Sequence, residues 1–263
     1  MNKKIALVLL IPICFYLTQR ITETRSAIII DPINNGEFQH QSIELLSSNG
    51  YKVEYVAGGN VTVEYLKNLP THDLYIFRVH STCVYNRTWI FTGEKYRTNS
   101  YPILQITDLI HKAKPSHESD YLFAVSPEFI QQFNEDGFKD GVVLMMGCDG
   151  LIINDLAEAF CTEGASIYVS WDGNVCLEHT DQAILALLEY LCRRETTILD
   201  AIQYAQNQVG RDPVYYSQLN YYSLDPRYLK GIIKHCISRS IFIQASIVQV
   251  VERTGSYCYM CKI

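Results

Sequence analysis

Short apolar runs alternate with helical segments along most of the chain. In the first half, runs at 26–32, 51–56 and 73–79 predict buried strands, and the patterns at 37–48 and 62–69 predict helices between them. This order favours parallel strands joined by crossover helices, with helices on both faces of one sheet.

The same order resumes in the second half. Strands are predicted at 142–146 and 165–171, and helices at 152–163, 177–193 and 197–208. Together the two halves predict an α/β fold, a three-layer αβα sandwich with a mostly parallel sheet.

Two stretches depart from that order. Residues 81–139 are polar and rich in turn residues, and we expect hairpins and loops there with one helix at 126–133. The stretch 213–263 is rich in tyrosine and then in β-branched residues, which indicates an appendage. The expected organisation is therefore an N-terminal segment at 1–24, an α/β domain at 25–212 and this C-terminal appendage.

The N-terminus has the composition of an export signal. Lys3 and Lys4 precede an apolar run from Ile5 to Leu17, the order of a charged n-region and an apolar h-region. The run is short for a membrane span, and no small-x-small cleavage site follows closely. A cleaved signal peptide and an uncleaved anchor both stay open. We expect an extracytoplasmic protein that is secreted, or held at the membrane only through this segment.

Composition and charge narrow the classes of function. Of 263 residues, 48% are hydrophobic and 19% are charged, as in a globular domain. The net charge of −6, with no Lys/Arg run beyond the N-terminus, argues against nucleic-acid binding. The nine cysteines lack the spacing of a disulfide framework. Only Cys258 and Cys261 form a CxxC, which suits a terminal disulfide or half of a metal site.

Three polar residues follow directly after predicted strands. His80 comes after the third strand, Cys148 after the fourth and Asp172 after the fifth. Ligands of open parallel sheets bind beyond the carboxyl ends of the strands, so these side chains are candidates for one site. A thiol and an imidazole on adjacent strand ends suit acyl transfer, in which a thiolate attacks a carbonyl and the imidazole protonates the leaving amine.

Cys148 stands where a buried strand passes into a predicted helix. We expect the positive N-terminal end of that helix, at 152–163, to stabilise the thiolate. Backbone N–H groups at Cys148 and Ser81 are the expected donors to an oxyanion. The strand ends therefore predict a nucleophile (Cys148), an acid/base (His80) and backbone donors to an oxyanion (Ser81 and Cys148).

The region from about 73 to 208 resembles the caspase-like CHAT peptidases, which are related to separase within the caspase/gingipain clan. The resemblance depends on the ordered segments "DLYIFRVHS", "VVLMMGCDG", the long run from "DLAEAFCTEGASIYVSWDG" to "ALLEYL", and "ILDAIQYAQ". It implies a caspase-like fold and a cysteine endopeptidase acting on a protein or peptide substrate, with no metal or cofactor in the chemistry.

The resemblance also assigns roles to residues. It implies Cys148 as the nucleophile and His80 as its acid/base partner. It implies further that Asp172, with Asp181 as a second candidate, lines the S1 pocket for a basic (Arg or Lys) residue. A carboxylate there would pair with the guanidinium fork of an arginine.

Two positions depart from the family pattern and keep other functions open. Ser81 stands where related enzymes have glycine, and Asp149 puts a negative charge beside the thiol. Both favour an alternative, a catalytically silent module that binds peptides or proteins at the cell surface. A third hypothesis is a thiol redox protein that uses Cys258 and Cys261. The sequence leaves the oligomeric state open.

Overall fold

The main sheet has six strands, five of them parallel. The computed structural model describes residues 25–193 and 195–228. Across the sheet the strands lie in the order β10-β9-β8-β3-β1-β2, and only β10 is antiparallel to its neighbour. Their bounds are β1 Arg25–Asp31, β2 Tyr51–Ala57, β3 Leu74–Phe77, β8 Val142–Met145, β9 Ile167–Trp171 and β10 Leu219–Tyr222.

Helices cover both faces of this sheet. One face packs against α1 (Gly36–Ser48), α6 (Leu177–Leu191) and α7 (Ile198–Val209). The other face packs against α2 (Val63–Lys67), α4 (Pro127–Phe133) and α5 (Asp155–Thr162), joined by the short helix α3 (Pro102–Ile106). The predicted three-layer αβα sandwich with a mostly parallel sheet is confirmed.

Strand residues divide between the two cores by alternation. In β1, Ala27 and Ile29 contribute to the core under α1 and α6, whereas Ile28 and Ile30 contribute to the opposite core. All four are fully buried, as expected for a parallel strand covered on both faces. The five strands predicted from apolar runs are therefore confirmed, each within a few residues of its predicted bounds.

Residues 81–139 form more structure than the predicted hairpins and loops. They contain a second, four-stranded antiparallel sheet in the order β4-β5-β7-β6. Its strands are β4 Ser81–Cys83, β5 Thr88–Lys95, β6 Ile110–Ala113 and β7 Leu122–Val125. The inner face of this sheet joins the core of the main sheet through residues such as Ile90, Ile110 and Phe123. The insertion is thus built onto the α/β domain.

The main sheet continues past the domain boundary predicted at 212. Strand β10 lies beyond it and pairs with β9, from Leu219 opposite Trp171 to Tyr222 opposite Tyr168. The domain therefore extends into the expected appendage, at least through this strand. The predicted export segment at 1–24 and the Cys258/Cys261 pair lie outside the described residues.

Two further findings concern the described part of the chain only. Within 25–193 and 195–228, no helix is both long enough and apolar enough to span a bilayer. The five cysteines in these ranges are free thiols: Cys83, Cys148, Cys161, Cys176 and Cys192.

Candidate active site at the strand ends

A cavity opens at the carboxyl edge of the main sheet, where β3 and β8 are neighbours. His80 lies three residues beyond β3 and Cys148 three residues beyond β8. The cavity, here called the strand-end cavity, has a volume of about 210 Å³. It is lined by Val79, His80, Ser81, Pro115, Met146, Gly147, Cys148, Asn174, Val175, Cys176, Leu177, Glu178 and Tyr215. The structure thus brings the predicted thiol and imidazole into one cavity.

Gly147 is the point at which the chain leaves the main sheet for the cavity. The N–H of Met146 still donates to the carbonyl of Phe77 at 2.8 Å, continuing the β3/β8 pairing. A side chain at Gly147 would place its Cβ 2.1 Å from Ser81 Oγ, which no rearrangement of that short side chain accommodates easily. A glycine here lets the Cys148 loop pack directly against Ser81.

The Cys148 thiol lies at the start of α6. The N–H of Val175 donates to Sγ at 3.4 Å, and the thiol in turn donates to the Val175 carbonyl oxygen at 3.7 Å. Val175 immediately precedes Cys176, the N-cap of α6. An N–H donor at a helix N-terminus stabilises a thiolate.

The sequence predicts that Cys148 faces the helix that follows it in the chain, but α5 begins only at Asp155, after a loop. The helix end beside the thiol belongs to α6, which is distant in sequence.

His80 marks the point where the chain passes from the main sheet to the small sheet. On one side, the N–H of Arg78 donates to the carbonyl of Ile30 in β1 at 2.9 Å. On the other, the His80 carbonyl accepts from the N–H of Phe91 in β5 at 2.9 Å. Burial, and secondly the positive charge of Arg78, lower the pKa of His80. The imidazole is therefore biased toward its neutral form, which can accept a proton.

Ser81 connects the two strand ends. Its Oγ donates to the Cys148 carbonyl at 2.5 Å. The N–H of Cys83, two residues along β4, donates to Asp149 Oδ2 at 3.3 Å. Alternate N–H groups of a strand point the same way, so the N–H of Ser81 is directed toward the Cys148 loop.

Asp149 does not line the strand-end cavity, although it follows Cys148. Its backbone has a positive φ of 60°, and its carboxylate turns toward Cys83. Burial raises the pKa of Asp149 and outweighs the opposing hydrogen bond from Cys83. The expected electrostatic conflict with the thiolate is reduced, because the carboxyl group points away from the cavity.

The structure does not bring Asp172 and Asp181 into the cavity. The carboxylate of Asp172 accepts from the N–H of Gln218 at 2.7 Å and from Asn220 Nδ2 at 3.1 Å, so it serves the β9/β10 edge. Asp181 accepts from Arg78 Nε at 2.8 Å and from Arg78 Nη2 at 2.9 Å. Asp172 thus connects β9 with β10, and Asp181 connects α6 with the end of β3. Neither carboxylate is among the cavity residues that could contact a substrate side chain.

Two cavity residues were missed from sequence. Glu178, in the first turn of α6, is exposed and carries the only carboxylate among the residues that line the cavity. Tyr215 lies in the stretch that was predicted to be an appendage. A negative charge in the first turn of a helix commonly stabilises the helix itself. The sequence around Glu178 therefore gives no sign that this residue faces a ligand.

Asp212 fixes this side of the cavity and was also missed. It is fully buried and accepts three backbone N–H groups, from Cys176 at 2.8 Å, Val214 at 2.8 Å and Tyr215 at 2.7 Å. Burial alone would raise its pKa, but these hydrogen bonds outweigh burial and lower the pKa of Asp212. The Asp212-Pro213 pair is a turn signal that could have indicated an ordered loop here.

The cavity brings together a thiol that accepts a backbone N–H and an imidazole whose pKa is lowered, a pair suited to acyl transfer. Within residues 25–193 and 195–228, no group of three or more His, Cys, Asp or Glu side chains is arranged to hold a metal ion. No protein-family model and no curated protein sequence matches this chain.

Proposed function

We propose that this protein is a caspase-like cysteine endopeptidase in which Cys148 is the nucleophile and His80 is the acid/base. The observation that carries the proposal is the meeting of the two residues in the strand-end cavity from the ends of adjacent strands. The resemblance of residues 73–208 to caspase-like CHAT peptidases agrees with the same two residues.

The reaction follows from the groups present. His80 first accepts the proton of the Cys148 thiol. The resulting thiolate attacks the carbonyl carbon of the scissile peptide bond, and the oxyanion that forms accepts hydrogen bonds from the N–H groups of Ser81 and Cys148. When the C–N bond breaks, the protonated His80 gives its proton to the leaving amine. A water molecule, deprotonated by His80, then hydrolyses the thioester, which releases the acid and regenerates the thiol.

A basic residue on the N-terminal side of the scissile bond remains part of the proposal, but with a different partner. The cavity wall is mostly apolar and includes Val175, Leu177 and Tyr215, and its one carboxylate is that of Glu178. Lysine and arginine have an apolar stem and a charged head, so their stems suit this wall and their heads suit Glu178. Glu178 replaces Asp172 and Asp181 as the S1 carboxylate.

The alternative is the catalytically silent module that binds peptides or proteins. A binding groove does not need a thiol beside a helix N-terminus or an imidazole in the same cavity. The supporting observations therefore favour catalysis, and the same experiment distinguishes the two functions.

The test compares the full-length wild type with Cys148→Ala and His80→Ala on fluorogenic peptides that carry Arg, Lys, Leu or Asp before the scissile bond. We expect cleavage of the Arg and Lys peptides by the wild type and at least about 1,000-fold lower kcat/KM in both variants, as for other dyads that act as a unit. Cys192→Ala is the matched control, because that thiol lies at the C-cap of α6. We expect it to keep wild-type activity.

Alkylation separates the outcomes. Iodoacetamide labelling, located by mass spectrometry, should modify Cys148 faster than Cys192 at mildly acidic pH. Cleavage of only the Leu or Asp peptides would keep the dyad and discard Glu178 as the specificity residue. If the wild type shows no turnover and Cys148 is not labelled preferentially, the peptidase is rejected in favour of the binding module.

A further inference from the structure

A buried cluster of charged side chains is centred on Arg78, two residues before the cavity residue His80. Arg78 is 2% exposed, and its partners Asp31 and Asp181 are 0% and 13% exposed. Nε and Nη2 of Arg78 bind both oxygens of Asp181 as a fork, while Nη1 binds Asp31 Oδ1 at 3.3 Å. The guanidinium also lies 5.6 Å from the ring of Phe38. This arrangement uses the planar donor geometry that only arginine has.

The carboxylates of the cluster have further partners. Asp31 accepts from the backbone N–H groups of Asn34 and Asn35 and from the Tyr55 hydroxyl, at 2.8, 3.0 and 2.9 Å. Asp181 accepts from Asn35 Nδ2 at 3.2 Å. The cluster therefore joins the ends of β1 and β3, strand β2, the start of α1, and α6. Charges buried this deeply need such partners because their desolvation is costly.

The two residues of the Arg78–Asp181 pair each lie close in sequence to a residue that lines the cavity. Arg78 precedes His80 by two residues, and Asp181 lies one helical turn beyond Glu178. Val175, which immediately precedes the N-cap of α6, donates its N–H to the Cys148 thiol. The distance between the imidazole and the thiol thus depends on α6 staying docked on the end of β3.

We infer that Arg78, held by Asp31 and Asp181, is a positioning residue that sets His80 against the Cys148 wall of the cavity. The inference rests on the proposed function and deepens it. Arg78 touches neither the substrate nor the thiol, and it acts through His80 and through α6. Stability alone does not explain the Arg78–Asp181 pair at this position, because apolar residues of similar size often stabilise a core as well as a buried ion pair does.

Arg78 has an electrostatic effect in addition to its geometric one. Its charge acts together with burial to lower the pKa of His80. The other titratable groups around Arg78 are Asp31 on β1, Tyr55 on β2 and Asp181 on α6. Those that share the cavity with His80 are Cys148, Cys176, Glu178 and Tyr215. Removing the positive charge of Arg78 should raise the pKa of His80.

Three variants of the full-length protein test the inference. Arg78→Met/Asp181→Leu replaces the fork with apolar side chains. Arg78→Lys keeps the charge but loses the fork. Arg193→Met/Glu189→Leu, the control, removes an ion pair of 2.8 Å at the opposite end of α6. Each variant is measured for its melting temperature, for kcat and KM on a basic peptide, and, in a Cys148→Ala background, for the pKa of His80 by NMR.

We expect Arg78→Met/Asp181→Leu to lower kcat about 100-fold with a smaller change in KM, because a misplacement of about 1 Å in a catalytic group has that effect. The NMR pKa of His80 should rise in this variant and stay near wild type in Arg78→Lys, in which kcat should still fall. The control should match wild type in all three readouts. If the double variant does not fold, Arg78→Lys decides.

The inference is overturned if the melting temperature falls while kcat and the pKa of His80 keep their wild-type values, because Arg78 is then only a brace. Failure of the proposed function looks different. The wild type then cleaves no peptide, while the alkylation rate of Cys148 and the NMR titration of His80 still report whether Arg78 sets the two groups.

Discussion

Glu178 and Asp181 lie one turn apart on α6 and have opposite surroundings. Glu178 is exposed at the edge of the strand-end cavity. Asp181 is nearly buried and accepts both arms of the Arg78 fork. One carboxylate is therefore available to a ligand, and the other holds the helix to the sheet. Residues three apart share a face of a helix, so direction does not separate the two. The difference is that Arg78 binds both carboxylate oxygens of Asp181, whereas Glu178 lines the cavity.

The largest difference between the two carboxylates should appear in stability. Asp181→Leu leaves the Arg78 guanidinium buried without its bidentate partner, and we expect a loss of about 3–5 kcal/mol in the free energy of unfolding. Glu178→Leu should leave that free energy nearly unchanged, because its carboxylate is solvated. Urea denaturation of both variants checks the contrast. Equal midpoints would mean that the Arg78 pair does not hold α6.

How much of this could be foreseen differs between the fold and the site. The five parallel strands follow from local apolar patterning, and their order along the chain brings His80 and Cys148 to one edge of the sheet. The apolar run predicts a strand correctly because Ala27 to Ile30 are all buried, two on each face of the sheet.

The rest depends on contacts between residues far apart in sequence. Strand β10, "LNYY", has no clear alternation and is fixed only by pairing with β9. The helix end beside Cys148 comes from α6, which no local pattern can indicate. Asp172 and Asp181 were predicted from their place in a motif, and only the partners Gln218 and Arg78 reveal that they hold the fold together.

A second prediction adds Asp212, which holds the N-terminal end of α6 from outside the helix. Asp212→Asn weakens three hydrogen bonds to a buried carboxylate, and we expect a loss of roughly 1–3 kcal/mol at neutral pH. Because folding lowers the pKa of Asp212, this stabilisation is complete above the unfolded pKa, near 3.9, and is lost as the pH falls through the lower folded value.

The pH dependence has an internal control in Asp149. Burial raises the pKa of that carboxyl group, so its ionisation opposes folding at neutral pH, and this cost disappears as the pH falls. Asp149→Asn should therefore be neutral or stabilising at pH 7 and equal to wild type in acid. Unfolding curves between pH 7 and pH 3 measure both variants, and parallel pH profiles would contradict the assignment.

A third prediction concerns specificity, where Glu178 should matter and Asp181 should not. Glu178→Gln should reduce the preference for Arg over Leu before the scissile bond by about fivefold, since a solvent-exposed ion pair contributes up to about 1 kcal/mol. Glu178→Lys should reduce the preference further, and high salt should weaken the wild-type preference. Ratios of kcat/KM for the two peptides give the answer, and an unchanged ratio would remove Glu178 from the S1 pocket.

The smallest effect is expected at Glu189, a third carboxylate on the same helix. Its pair with Arg193 has good geometry at 2.8 Å, but both side chains are about half exposed. Salt screening and side-chain entropy offset most of the attraction in such a pair, so Glu189→Gln should leave the melting temperature and the Arg/Leu ratio unchanged within error. Glu189→Gln thus distinguishes the effect of a carboxylate's position on α6 from the effect of the net charge of the helix. A change in either readout would mean that the net charge matters, and the structural explanation of the contrast between Glu178 and Asp181 would then fail.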